Sequence, residues 1–382
     1  ILILIIVRKA KMNTYFDNAA TTKIDKRVFE AMEPFFNEMY GNPSSNNACG
    51  RAIRDSLDDS RLSIATLLNC APNEIIFTSG ATESNNQVLK SCEDLCCSEN
   101  PLHFILSSIE HKSVLNLQDY LEKKGHKVDL IDCLPSGQID LENLKSLIRD
   151  NTVLVSCIYV NNETGILQPI SEISRICAEN DIAFHSDATQ AVGKMKIDLA
   201  DLNIDFLSLS AHKFHGPKGI GGLYKNNKTE LQCQIIGGSQ EDGYRSGTEN
   251  VPGIIGIGKA AEIAQQDIEK NYSYFCKLEK YFIKMLDSYS FNYKINGDFD
   301  CKVPWIFNIA FFDISAEDMV EKLGDFCFSK SSACSKGNYP SHVLQAMGLD
   351  EEWINHSVRI SFSKYTTMDQ IDLFCKRLKK VI

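Results

Sequence analysis

The chain has 382 residues, of which 43% are hydrophobic and 24% charged, so it is long enough for two domains and has the composition of a globular protein. This balance argues against a disordered or fibrous protein. The formal net charge of −10 argues against nucleic acid as a main partner, because phosphate binding requires a basic surface.

The apolar run at the start of the chain is too short to cross a membrane. Seven residues, ILILIIV, precede basic residues at positions 8, 9 and 11, whereas a bilayer span needs about 20 apolar residues. A signal peptide would carry its basic region before the apolar run. We therefore treat residues 1–12 as an N-terminal extension with a candidate start at Met12, and predict no membrane partner.

The fourteen cysteines are mostly scattered singly along the chain. The tightest group, at positions 92, 96 and 97, lacks the second pair of thiols that a zinc site needs. Disulfide frameworks are typical of short secreted chains without a sufficient core. We therefore predict reduced thiols, a cytoplasmic location and no metal site.

Short β-rich runs alternate with helical patterns over most of the chain. This alternation predicts an α/β fold with a mostly parallel central sheet flanked by helices. Apolar residues at helical spacing predict helices in 141–150 and 170–180, and a long helical stretch at 254–289 leads to a smaller α/β lobe. The predicted strands are 74–79, 103–108, 127–132, 152–160, 182–187 and 206–210.

Polar residues with chemical potential follow two of these strands, at the sheet edge where ligands of such folds bind. Lys213 comes just after the strand at 206–210, and Asp187 ends the strand at 182–187. A lysine amine can bind the aldehyde of pyridoxal phosphate (PLP), and a carboxylate can pair with its protonated pyridine nitrogen. Alone, Lys213 would be a surface lysine and Asp187 a helix cap. Together they predict a PLP site.

Two further motifs place polar residues at strand ends along the same edge of the predicted sheet. In TSGATESNN (78–86) a strand gives way to a helix, whose N-terminal N–H groups and Thr82 hydroxyl can bind a phosphate. Helix capping by Ser79 or Thr82 explains this pattern equally well. SSIEHK (107–112) places His111 at a neighbouring strand end, where an imidazole can stack on a ring and move protons. A lone histidine would usually be structural.

A series of motifs, in order from about residue 14 to residue 368, resembles the cysteine desulfurases. This group belongs to the class V aminotransferases among the fold-type I PLP enzymes. Besides those quoted above, the motifs are YFDNAATT (15–22), GNPSS (41–45), VNNETG (160–165), HSDATQ (185–190), SAHKFHGPKGIG (210–221), RSGTEN (245–250) and SSACS (331–335).

The resemblance implies a fold-type I PLP-dependent transferase. It implies a large PLP-binding domain at 13–255, whose first residues pack with the small domain, and a small C-terminal domain at 256–382 that carries the nucleophile loop. Lys213 would carry the cofactor, with Asp187 at the pyridine nitrogen, Gln190 at the ring hydroxyl and His111 stacked on the ring. Residues implied to complete the cofactor site are Ala81, Thr82, Asn162, Ser210, His212 and, from the other subunit of a homodimer, Thr248.

The substrate and the sulfur acceptor are also implied by the resemblance. Asn162 and Arg359 would bind the carboxylate of L-cysteine, for which the planar arginine fork is suited. Cys334 lies in KSSACSKGNYP (330–340), a polar stretch that predicts a loop. It would take the sulfur as a persulfide, leaving L-alanine. Its loop resembles the long loop of the housekeeping and nitrogenase-type desulfurases, which implies a scaffold for Fe–S assembly or a sulfur-relay protein as acceptor.

Four positions depart from the family pattern. Asn47 stands where histidine is usual, and Lys364 where glycine or arginine is commoner. Lys330 and Ser331 replace serine and glycine just before the nucleophile. Because glycine alone visits positive φ freely, Ser331 predicts a stiffer loop and leaves partner choice open.

Two other interpretations remain open on the sequence alone. A selenocysteine lyase or another class V aminotransferase would keep Lys213 and Asp187 but would not depend on Cys334. A non-catalytic scaffold that uses its many cysteines would need none of the three.

Overall fold

The structure, a computed structural model, describes residues 14–95, 100–330 and 340–382. Strands and helices alternate through the first two thirds of the chain, as the sequence predicts. The strands are β1 (Thr14–Tyr15), β2 (Ile75–Thr78), β3 (His103–Ser107), β4 (Lys127–Ile131), β5 (Thr152–Ser156), β6 (Ala183–Asp187), β7 (Phe206–Ser210), β8 (Gly221–Lys225), β9 (Tyr293–Ile295), β10 (Ile306–Phe311), β11 (Phe326–Cys327) and β12 (Ser357–Ser361). The helices are α1 (Lys26–Met32), α2 (Pro34–Asn37), α3 (Ala48–Leu68), α4 (Ala81–Leu95), α5 (Lys112–Leu115), α6 (Leu117–Lys123), α7 (Leu141–Leu147), α8 (Ile170–Glu179), α9 (Val251–Ser288), α10 (Ala316–Lys322), α11 (His342–Ala346), α12 (Glu351–Asn355) and α13 (Met368–Leu378).

The central sheet has seven strands in the order β2-β8-β7-β6-β5-β3-β4. The strands from β7 to β4 pair in parallel, and only β8 runs antiparallel to its two neighbours. The inner strands are buried on both faces, which explains their nearly continuous apolar runs. The predicted α/β fold with a mostly parallel sheet is confirmed, and its carboxyl edge gathers the ends of β3, β5, β6 and β7.

The strand β8 is absent from the sequence prediction because its glycines indicate a turn. The structure shows why glycine is needed there. A Cβ atom on Gly221 would lie 2.5 Å from the carbonyl oxygen of Leu209 and 2.6 Å from the Cα of Gly80. The absence of a side chain therefore lets β8 pass close to the turn after β2.

A second, antiparallel sheet has the order β12-β10-β9, and β1 pairs with β11. An aromatic core lies against it, in which Phe16 packs edge-on against Phe374 at 5.6 Å between ring centroids. Helix α9 contributes its first half to the core of the central sheet and its second half to this aromatic core. The domain boundary at 255/256 stays a prediction, since α9 continues unbroken across it.

Local contacts explain two of the departures from the family pattern. The side-chain oxygen of Asn47 accepts the Gly50 N–H at 2.9 Å and so caps α3, an interaction worth about 0.5 to 2 kcal/mol. The ammonium of Lys364 contacts the carboxylate of Asp25 at 2.6 Å, with both side chains largely buried. Lys330 forms an exposed ion pair with Glu317, and Ser331 lies outside the described residues. Across the described ranges, no helix is both long and apolar enough for a bilayer span.

Candidate active site

A cavity of about 480 Å³ lies at the carboxyl edge of the central sheet, a volume typical of sites for small ligands. Arg359 enters it from β12 of the second sheet, and residues 19–21 reach it from the segment after β1. The remaining wall residues lie at or after the ends of strands of the central sheet. The sequence-predicted residues that line it are Ala81, Thr82, His111, Asn162, Asp187, Gln190, Ser210, His212, Lys213 and Arg359.

Lys213 and Asp187 face this cavity from neighbouring strands. Lys213 lies in the turn directly after β7, where its ammonium donates to the Ala19 carbonyl at 2.7 Å. Asp187 ends β6 and is 3% exposed. One of its carboxylate oxygens accepts from Asn85 Nδ2 at 2.9 Å, and the other accepts the Thr189 N–H at 3.0 Å. Each oxygen keeps a further lone pair, so the fixed carboxylate can accept a proton donor from a ligand.

A hydrogen-bond path joins Asp187 to His111. Asn85 Nδ2 donates both to Asp187 and to the Ser113 hydroxyl at 2.8 Å. The Ser113 hydroxyl lies 2.8 Å from His111 Nδ1, and the Ser113 backbone N–H donates to the same nitrogen at 3.2 Å. A backbone N–H can only donate, so Nδ1 is an acceptor and the neutral imidazole holds its proton on Nε2.

The N-terminus of α4 faces one end of the cavity. The turn after β2 contains Gly80 at φ 152°, a conformation that favours glycine, and leads into the helix. Ala81 and Thr82 of the first turn line the cavity together with Ser210. Backbone N–H groups at the start of a helix are unsatisfied within it and attract anions. This end of the cavity therefore suits a phosphate.

His212 lies at the same end and is a neutral hydrogen-bonding group. Its Nδ1 is 3.1 Å from the Thr21 hydroxyl. Burial, followed by the positive charges of Lys213 and Lys218, lowers the pKa of His212 to about 4. The imidazole is therefore uncharged at neutral pH, and Lys218 also lines the cavity.

Arg359 also lines the cavity and is 1% exposed. Its Nη2 donates to Asp17 at 2.7 Å and its Nη1 donates to the Asn162 carbonyl at 2.9 Å. Within the described ranges its Nε–H has no hydrogen-bond partner. An ionised donor that is buried with spare capacity suits a carboxylate ligand.

Two predicted site residues are not part of this cavity wall. Thr248 is exposed in the segment before α9 and does not line the cavity of its own chain. Cys334 lies outside the described residues. On one flank of its segment, Ser329 exchanges backbone hydrogen bonds with Arg359, and on the other Ser341 donates to the buried Glu163 at 2.6 Å.

Several residues at the site were not foreseen. Asn85 and Ser113 lie inside or beside quoted motifs, but their pairing joins positions 28 apart in the chain and has no periodic signal. Thr189 lines the cavity, and its hydroxyl has no partner in the described part of the chain. Glu110 directly precedes His111 in the chain and is completely buried. No hydrophobic pattern in the sequence indicates that this carboxyl group is buried. Burial, followed by the negative charge of Asp187, raises the pKa of Glu110 to about 8.

Comparisons with known proteins agree on one family. The model of the class-V aminotransferase family matches residues 14–374. Cysteine desulfurase IscS of Neisseria meningitidis is 40% identical over 376 residues, which cover 97% of this chain and 93% of the relative. The mitosomal cysteine desulfurase of Trachipleistophora hominis is 40% identical over 96% of this chain and 86% of its own length.

Solved structures give the same result. A NifS-like protein superposes with a TM-score of 0.91 at 36% identity, covering 97% of this chain and 99% of the other. A structure titled SspA in complex with cysteine superposes with a TM-score of 0.83 at 36% identity, covering 93% of this chain and all of the other.

Proposed function

Because this chain belongs to the class-V aminotransferase family and, within it, to the cysteine desulfurases, we propose that it removes sulfur from L-cysteine with the help of PLP. L-Alanine is released, and the sulfur remains as a persulfide on Cys334. The carbon–sulfur bond of the substrate breaks and a sulfur–sulfur bond to Cys334 forms. The electron pair of the broken bond stays on carbon, which takes up a proton to give the methyl group of alanine, so two thiols become one persulfide and one methyl group. The observation that carries the proposal is the meeting of Lys213 and Asp187 in one cavity with His111 and Arg359.

The donors and acceptors of the cavity fit PLP. Asp187 offers free lone pairs to a protonated ring nitrogen, and the Thr189 hydroxyl is buried without a partner among the described residues. Lys213 would hold the aldehyde. The start of α4, with Ser210 and His212, would hold the phosphate, and Thr248 would reach the phosphate of a partner subunit. When bound, PLP supplies an electron sink for the carbanion that forms next to the amino group.

The remaining residues of the cavity position the substrate and its protons. Arg359 binds the carboxylate of cysteine and is itself oriented by Asp17 and by the Asn162 carbonyl. His111 would stack on the cofactor ring, and its neutral form holds a proton at Nε2, from which it could donate toward the reacting sulfur. The side chain of Asn162 contributes a further polar contact to substrate and cofactor.

The contacts of the residues that flank the segment containing Cys334 support its role as sulfur acceptor. The backbone of Ser329 pairs with that of Arg359, the residue that would hold the substrate. The described flank of the segment that contains Cys334 is therefore attached to the strand that carries Arg359.

The partners follow from the same proposal. The homodimer is supported by Thr248, which is exposed on its own chain and matches the family position that reaches across. A scaffold for Fe–S cluster assembly or a sulfur-relay protein would take the sulfur from Cys334. The cytoplasmic location stays a prediction, since one of the relatives is named as mitosomal.

Labelled cysteine tests the function. The PLP-loaded protein should accumulate labelled sulfur on Cys334 and release alanine. Cys334→Ser should keep the visible absorbance of bound PLP but lose the protein-bound sulfur, whereas Cys49→Ser, at an exposed cysteine, should behave as the wild type. Lys213→Ala should lose both absorbance and turnover.

Two outcomes would contradict the proposal. Full turnover of cysteine by Cys334→Ser would favour another class V activity that does not need this thiol. A wild-type protein that binds no PLP would favour a non-catalytic scaffold.

A further inference from the structure

A buried lysine lies behind the cofactor site. Lys194 follows β6 by seven positions and is 8% exposed. Its ammonium donates to the side-chain oxygen of Gln190 at 3.1 Å and lies 6.0 Å from the ring centroid of Trp305. Within the described ranges it forms no salt bridge with a carboxylate. A buried ammonium without an anion is unfavourable unless it has a specific task.

The contacts of Lys194 fix which way the amide of Gln190 points. The amide nitrogen of Gln190 donates to the Ala19 carbonyl at 2.8 Å, and its oxygen accepts from Lys194. An ammonium can only donate and a carbonyl can only accept, so both partners require the same orientation of the amide. The oxygen is occupied by Lys194, and the second amide hydrogen remains for the cavity that Gln190 lines.

We propose that Lys194 is a positioning residue that holds the amide of Gln190 so that a hydrogen-bond donor, and not its oxygen, faces the ring oxygen of the cofactor. The inference rests on the proposed function for the identity of the cofactor. Without Lys194, only the Ala19 carbonyl still selects this orientation of the amide, so the oxygen of Gln190, which repels an anionic or acceptor oxygen on the ring, faces the ring in a larger fraction of molecules.

The electrostatic surroundings of Lys194 agree with this role. Burial, followed by the positive charges of Lys213 and Arg359, lowers the pKa of Lys194 to about 7. In either charge state the nitrogen has hydrogens to donate to Gln190. Three basic side chains converge here on the wall of one cavity or directly behind it, an arrangement that favours ligands with anionic oxygens.

The test compares PLP with 3-deoxypyridoxal phosphate, which keeps the aldehyde and the phosphate but lacks the ring oxygen. Equilibrium titration of the apoenzyme gives a dissociation constant for each compound. The ratio of the two constants reports the contact with the ring oxygen and does not depend on turnover. Wild-type protein should prefer PLP, and Lys194→Met should reduce this preference by roughly 2- to 10-fold, the effect of losing one hydrogen bond.

Two further variants make the result decisive. Gln190→Met removes the group that Lys194 orients and should reduce the preference by a similar factor, whether or not Lys194→Met folds. Lys225 is a matched control, because it is also buried, donates to two backbone carbonyls and lies 5.3 Å from the ring centroid of Tyr244, outside the cavity wall. Lys225→Met should leave the preference unchanged.

The outcomes separate the inference from the function. A folded Lys194→Met or Gln190→Met that keeps the full preference for PLP would overturn the positioning role, and so would an equal loss in Lys225→Met. Failure of the wild type to bind either compound would instead overturn the proposed function, and the inference with it.

Discussion

Glu110 gives a prediction about stability whose sign and size follow from the structure. It is completely buried between the end of β3 and His111. One carboxyl oxygen accepts the Ser107 hydroxyl at 3.1 Å, and the backbone N–H groups of Ile158 and His111 lie near the carboxyl group and, like Ser107, oppose the rise of its pKa. Burial, with the charge of Asp187 as a second cause, raises the pKa of Glu110 to about 8 from an ordinary value of 4.5. The folded protein therefore holds a proton at neutral pH that the unfolded chain releases.

The sign of the pH dependence follows from this difference. The stability contributed by the neutral Glu110 is complete below pH 4.5 and is lost as pH rises through 8. The pKa difference is 8 − 4.5 = 3.5, and each unit corresponds to roughly 1.4 kcal/mol, so the loss approaches about 5 kcal/mol. Glu110→Gln cannot ionise and should not show this loss. Its second amide hydrogen has no assured acceptor, which costs about 1 to 3 kcal/mol at every pH.

The two curves should therefore cross. Glu110→Gln should be less stable than the wild type near pH 5 and more stable above about pH 8. Urea unfolding midpoints of the apoenzyme across this range measure the effect without a contribution from cofactor binding. Glu172→Gln makes the same change at an exposed position and should run parallel to the wild type. Parallel curves for Glu110→Gln would refute the argument that Glu110 is neutral in the folded protein.

Three further changes test the site and its supports. His111→Ala should keep the absorbance of bound PLP and lower kcat by about 10²- to 10⁴-fold, and an unchanged kcat would exclude a proton-transfer role. Arg359→Ala should raise KM for cysteine by an amount equivalent to about 1.5 to 3 kcal/mol, the worth of a hydrogen bond to a charged group, and steady-state kinetics with an unchanged KM and kcat would exclude the carboxylate contact. The hydrogen bond from Arg27, together with that from Lys364, holds the pKa of Asp25 well below its usual range, so Lys364→Ala should lower the urea midpoint at neutral pH. Because protonation of Asp25 removes this contribution, the difference should shrink as pH falls below about 4, and a constant difference would contradict it.

The sequence located the cavity because a parallel sheet brings the ends of its strands to one edge. Lys213, Asp187 and His111 each follow a β-rich run, so their meeting was predictable without coordinates. Arg359 was predicted as a site residue only from the family resemblance. No periodic pattern in the sequence indicates how β12, which carries it, packs against the central sheet. Positions outside the described residues, Cys334 above all, remain predictions from the sequence.

The supports of the site were not predictable for a different reason. Asn85 reaches Asp187 across 102 positions, and its role depends on where α4 lies over the sheet. The sequence did not predict strand β8, because glycine weakens strand propensity. In the structure, Gly221 allows a close approach between two backbone segments. Such contacts depend on the packing of whole elements, which local sequence patterns do not encode.

The charges around the cavity are divided in a way that fits one kind of ligand. Asp187 is the acidic group of the wall, because its neighbour Glu110 is held neutral by burial and by the charge of Asp187 itself. Lys213 and Arg359 are basic groups of the same wall, and the buried Lys194 lies close enough for both to lower its pKa. A ligand with a protonated ring nitrogen for the acid and anionic oxygens for the bases matches both kinds of charge. The neutral form of Glu110 also keeps Asp187 available as an acceptor, since a second carboxylate charge beside Asp187 would raise the proton affinity of Asp187 and favour its protonated form.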